Sequence, residues 1–85
     1  MPFHGTVRAY HEAISRYGIE LSPDNYTVIS TPNTHDVELG NVLEWTDPAL
    51  GERLYRNVTR NRDVPVTVLH HGVVRADLHE RMGGY

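Results

Sequence analysis

The chain has 85 residues, eight basic and eleven acidic side chains, a formal net charge of -3 and no cysteine. That length holds one small domain, since domain sizes centre on about 100–150 residues. Every basic residue is arginine and none is lysine, so disulfides, zinc–thiolate sites, thiol nucleophiles, P-loops and Schiff-base chemistry are excluded.

From the N-terminus, apolar residues at Phe3, Val7, Tyr10, Ile14, Tyr17 and Leu21 step by four and three in turn. That spacing predicts an amphipathic helix over 6–17, with Thr6 as N-cap, Gly18 at its C-terminal end and a Glu12–Arg16 pair on the outer face. Ser22-Pro23-Asp24-Asn25 reads as a turn, and the β-branched and aromatic run from Tyr26 to Thr31 as a strand. After the loop Pro32–Asp36, a two-residue hairpin turn at Gly40-Asn41 would mix apolar and charged groups on both faces. A continuous strand over 37–45 instead puts Val37, Leu39, Leu43 and Trp45 on one side, with Gly40 marking a bulge. Asp47-Pro48 has the form of a helix start, and Leu50, Leu54, Tyr55 and Val58 then share a face through about Asn61.

Residues 63–78 read as a hairpin. A three-residue loop at His70-His71-Gly72 pairs Val64 with Leu78, Val66 with Ala76 and Val68 with Val74, and places Gly72 in the left-handed position such loops need. Pro65 assigns this hairpin to a sheet edge. Residues 79–85 form a short helical turn or a frayed tail. The expected architecture over 1–85 is therefore one α+β domain in the order α-β-β-α-β-β, a two-layer arrangement with both helices on one face of a mainly antiparallel sheet.

Val, Ile, Leu and Phe make up 21 residues, enough for one modest core and too many for a disordered chain. With only ~5 kcal/mol of net stability to be expected at this size, oligomerisation would be a natural supplement. No run is long and apolar enough for a membrane span, and the first residues carry neither a basic nor an apolar signal segment, so the expected compartment is the cytoplasm, of the source cell or of an infected host. Arginine without lysine points to the codon usage of a GC-rich genome, such as an actinobacterium or its phage. Residues 1–52 hold eight acids and two arginines, and residues 53–85 hold six arginines and three acids. Such polarity suits association between proteins better than nonspecific duplex binding, which uses a basic domain.

Four groups of residues are candidate sites. Arg53, Arg56 and Arg60 fall on one stripe of the second expected helix, with Arg62 just beyond, and clustered guanidinium groups can hold phosphates or an acidic surface. Six histidines are present, but no spacing supplies three convergent metal ligands; His35-Asp36 would contribute only if its loop met the His70-His71 tip. None of Ser15, Ser22 and Ser30 sits in a nucleophile pattern, which leaves His70, His71 and Arg75 as the centre of a metal-free nuclease, a reading the acidic balance opposes. Leu69 and Val73 flank the hairpin tip on its polar side, where they would serve self-association or capture of another protein, and Tyr85 is unattached by pattern. Together these features favour a non-enzymatic interaction module that self-associates through a sheet edge or an open sheet face, without cofactor or metal. Nucleic-acid binding through the arginine stripe is the alternative.

Overall fold

Alternation with a period of two, the mark of a strand with one buried face, runs through the interior positions. Tyr17 and Ile19 are buried with half-buried Leu21 beyond them, Leu43 is buried with Trp45, and Val64 is buried with Val66 and Val68. In the computed structural model, which describes residues 2–32, 36–47 and 49–83, these positions line a closed antiparallel barrel rather than a layered sheet. Its strands are β1 (Phe3–His11), β2 (Arg16–Ser22), β3 (Asn25–Ser30), β4 (Val42–Trp45), β5 (Gly51–Asn57) and β6 (Arg62–Val73), followed by one helix, α1 (Arg75–Arg81). The order around the barrel is β1-β2-β3-β6-β5-β4, closed by β4 on β1. Two three-stranded meanders are thus joined by pairing corresponding strands, β1 with β4 and β3 with β6.

This barrel corrects the two-layer α+β expectation. The helix expected over 6–17 is instead β1, a single turn of 3-10 helix at Glu12–Ile14, and the start of β2. Gly5 explains the concealment. It lies opposite Leu43 on the inward face of β1, and a Cβ there would collide with Ile19 Cγ2, so an interior strand position carries no side chain. The second expected helix is a loop followed by β5; its supposed apolar face of Leu50, Leu54 and Val58 points to solvent, while Tyr55 and Asn57 point inward. Its start signal rested on Pro48, which lies outside the described residues.

The continuous strand over 37–45 shortens to β4. Leu39 is exposed, and Gly40, at φ 90°, sits in a turn. The C-terminal hairpin is also replaced. Gly72 does adopt a left-handed conformation (φ 60°), but within the irregular end of the single long strand β6 rather than in a hairpin loop. Val64, Val66 and Val68 face the core; Val74 and Ala76 are exposed, and Leu78 lies on α1. Closure removes the free edge to which Pro65 had been assigned: β6 pairs with both β3 and β5.

Odd-numbered strands begin, and even-numbered strands end, at one end of the barrel, called the mouth; the opposite end is the floor. At the floor, Asn57 is wholly buried and fully engaged. Its Nδ2 donates to the Asp36 carbonyl (2.7 Å) and to Asn41 Oδ1 (2.9 Å), and its Oδ1 accepts from the Arg60 amide (3.1 Å). Val37 plugs the same end. No described helix is long and apolar enough to cross a membrane.

Candidate functional site

The outer surface of the barrel has two unlike sides. Along β2, β3 and the end of β6, outward-facing Tyr26, Val28 and Val73 form a second apolar cluster with Met82, joined by Ala9, Leu69 and Leu78. Helix α1 lies on this side and is tied down at both ends. Asp24 Oδ1 accepts the Arg75 amide at 2.7 Å, and Arg16 Nη1 donates to the Arg81 carbonyl at 3.4 Å. Gly18 lets the helix approach, since a Cβ there would stand 3.1 Å from Leu78 Cδ1.

The opposite side, formed by β5 and the first half of β6, is bare. Register sets its outward residues in three rows, Glu52 beside Thr67, Leu54 beside Pro65 and Arg56 beside Asp63. Leu54 is 64 % exposed, the highest value for any large apolar side chain described. With Pro32, near the end of β3, the first two of these rows border an open groove of about 470 Å³. Thr31 fixes that rim, donating its hydroxyl to the Pro65 carbonyl at 2.9 Å. The middle row is apolar, one flanking row carries Glu52, and the other carries an ion pair, Arg56 Nη1 to Asp63 Oδ1 at 3.3 Å.

The residues singled out by sequence are distributed differently. Val73 is buried and Leu69 half-buried in the cluster beneath α1, so the surface expected from them is covered by the chain's own helix. Arg53, Arg56, Arg60 and Arg62 form no stripe, because there is no second helix and residues 53 and 56 fall on opposite faces of β5. Each has an acidic neighbour: Arg53 Nε lies 3.1 Å from Asp47 Oδ2, Arg60 Nη2 is 2.6 Å from Glu38 Oε1, Arg62 Nη1 is 2.5 Å from Asp36 Oδ1, and Arg56 pairs with Asp63 as above. Arg56 also donates to Asn61 Oδ1.

His35 and Tyr85 lie outside the described residues, and among those described no three His, Asp or Glu side chains converge as metal ligands. His70 lies on the outer face of β6 and His71 on the inner. Burial lowers both imidazole pKa values below the usual histidine range. The charges of Arg81 and Arg16 add to the effect on His70, and Asp47 opposes it on His71.

The mouth is the second feature. Phe3, Leu21 and Trp45 face Asn25, Thr27 and His71 across a cavity of about 200 Å³. Trp45 stacks between two rings, at 6.0 Å from Phe3 and 4.4 Å from Tyr55, nearly parallel to the latter. Below it the Tyr55 hydroxyl is buried without a hydrogen-bond partner, as is His71 Nε2. Burial raises the Tyr55 pKa, lowered in part by Arg53 and raised further by Asp47.

In comparison with known proteins, no family model, no curated protein and no solved structure matches the chain. Function therefore has to be argued from these surfaces.

Proposed function

We propose that the protein is a non-enzymatic interaction module that self-associates through the bare outer face of β5 and β6. The observation that carries this reading is Leu54, which lines an open groove and is 64 % exposed. On the other side of the barrel, equivalent apolar groups are covered by α1.

A second copy of the chain suits this surface because its charges are self-complementary. Glu52 and Arg56 flank Leu54 on the same face of one strand. A two-fold axis along the Leu54–Pro65 row reverses the strand direction of the partner. It sets Leu54 against Leu54, Glu52 against the partner's Arg56, and Thr67 against the partner's Asp63. Such an isologous contact closes on itself as a dimer. An axis parallel to the strands would leave Glu52 without a cation, so the first arrangement neutralises more charge. The patch is small beside the roughly 800 Å² per partner of a standard stable interface, and the dimer belongs to the weak, transient class.

Sedimentation velocity over a range of concentrations tests the reading. A sedimentation coefficient that rises with concentration in the natural chain, and stays at the monomer value in Leu54→Glu, supports it. A chain that remains monomeric throughout, or a variant that associates equally well, overturns it.

A further inference from the structure

Two features of the mouth are unrelated to the outer face. One is the ring stack of Phe3 and Trp45, which gives the cavity an apolar aromatic wall. The other is the polar wall opposite, which holds the Asn25 amide, the Thr27 hydroxyl and the His71 imidazole. Thr27 Oγ1 and His71 Nδ1 lie 3.4 Å apart, within hydrogen-bonding reach, and this contact orients the imidazole. The cavity of about 200 Å³ exceeds the ~150 Å³ that accommodates a benzene ring in an apolar protein cavity.

Charge narrows the ligand class. Arg53, the one arginine on the inward face near the mouth, is held by Asp47 at 3.1 Å, and Glu44 on β4 is paired with His4 Nε2 at 2.6 Å. These charges are paired with one another, and among the described residues lining the cavity there is no arginine to receive an anionic ligand. His71 Nε2, on a residue that lines the cavity, and the Tyr55 hydroxyl, whose ring stacks on Trp45, are buried without partners. Buried polar groups ordinarily find a partner in protein, water or ligand.

We infer that the mouth binds a small, uncharged planar ring with hydrogen-bonding groups along one edge, the chemical class of the free nucleobases. The ring lies against Phe3 and the edge of Trp45, whose faces are taken by Phe3 and Tyr55, and its own polar edge meets Asn25, Thr27 and His71. Apolar contact with the aromatic wall supplies affinity, and the polar wall selects among rings by hydrogen bonds that an apolar ring would leave unmade.

Trp45 is the only tryptophan in the chain, so its fluorescence reports on the site without a label. The test titrates the full chain with adenine and with uracil, and in parallel with benzene and with adenosine monophosphate. The expected result is saturable quenching by at least one free base, weaker binding of the monophosphate and of benzene, and a base affinity reduced roughly fivefold to tenfold in Asn25→Ala. Asn25 is half-exposed, so that variant is expected to stay folded; Leu54→Glu should bind the base as the natural chain does, which separates this site from self-association. No saturation by either base, equal binding of benzene, tighter binding of the monophosphate, or an unchanged affinity in Asn25→Ala would each overturn the inference.

Discussion

The two outer sides of the barrel are built from similar strands and treated in opposite ways. On the β2–β3 side, Val28 is wholly buried although it points away from the barrel interior, because α1 and its Met82 close over it. On the β5–β6 side, Leu54 points outward in the same manner and no described residue covers it. The difference lies in what covers an outward apolar residue, not in the strands that carry it. Where the chain has a helix to place, it builds a second core on such residues; where no described helix lies, the leucine stays exposed, which is the surface proposed for self-association. Scattered exposed apolar residues are common in proteins. Here, however, the exposed leucine lies in a groove between proline rims and has self-complementary charges on either side.

Substitutions on the covered side should dominate stability. Val28→Asp places a charge without a partner under α1, a change in the class that costs more than about 4 kcal/mol. Circular dichroism is expected to show an unfolded or molten chain at room temperature, and a native spectrum would contradict the second core. Met82→Ala deletes buried volume at the end of the helix and should cost about 2–4 kcal/mol in urea unfolding. Gly18→Ala is smaller. Its Cβ would meet Leu78 Cδ1 at 3.1 Å and Ala9 Cβ at 3.2 Å, and the helix must lift, at about 1–3 kcal/mol.

The histidines of β6, His70 on its outer face and His71 on its inner, add a pH dependence. Burial lowers the pKa values of both His70 and His71 relative to the unfolded chain. The unfolded state therefore takes up protons first. Their contribution is complete above about 6.5 and is lost as pH falls through the folded values. Thermal midpoints should drop on acidification below that point, and a His70→Gln, His71→Gln double variant should show a shallower slope. The bare side should behave otherwise: Leu54→Glu is expected to shift unfolding stability by no more than about 0.5 kcal/mol while removing association.

The same contrast explains how much of the molecule the sequence disclosed. Strand β3 and the inward row Val64, Val66, Val68 were legible, because alternating β-branched residues fill a strand's buried face. The first helix was misread because Gly5 empties one inward position of β1, and the remaining apolar residues happen to step by three and four. β5 was misread because its pattern is inverted. Its inward residues, Arg53, Tyr55 and Asn57, all carry polar groups, those of Arg53 and Asn57 engaged by Asp47 and by the floor, while its outward Leu54 is the apolar one. A pattern rule assigns the apolar residue to the core, and here that rule selects the exposed face. Leu54 was thus noticed for the wrong reason, and no local signal marked Asn57 as the buried keystone of the floor. The mouth residues come from five different strands, so their convergence depends on closure of the barrel, which pairwise register arguments do not reach.

The central claim is a two-fold contact in which Glu52 meets the partner's Arg56, and it is tested most directly by mixing two charge-swapped chains. Glu52→Arg alone sets arginine against arginine across the axis, and Arg56→Glu alone sets glutamate against glutamate. Each variant should therefore sediment as a monomer. In an equimolar mixture every cross-axis pair is again opposite in sign, and sedimentation equilibrium should recover a dimer containing one chain of each kind. A mixture that sediments as the average of its two separate components would contradict the account.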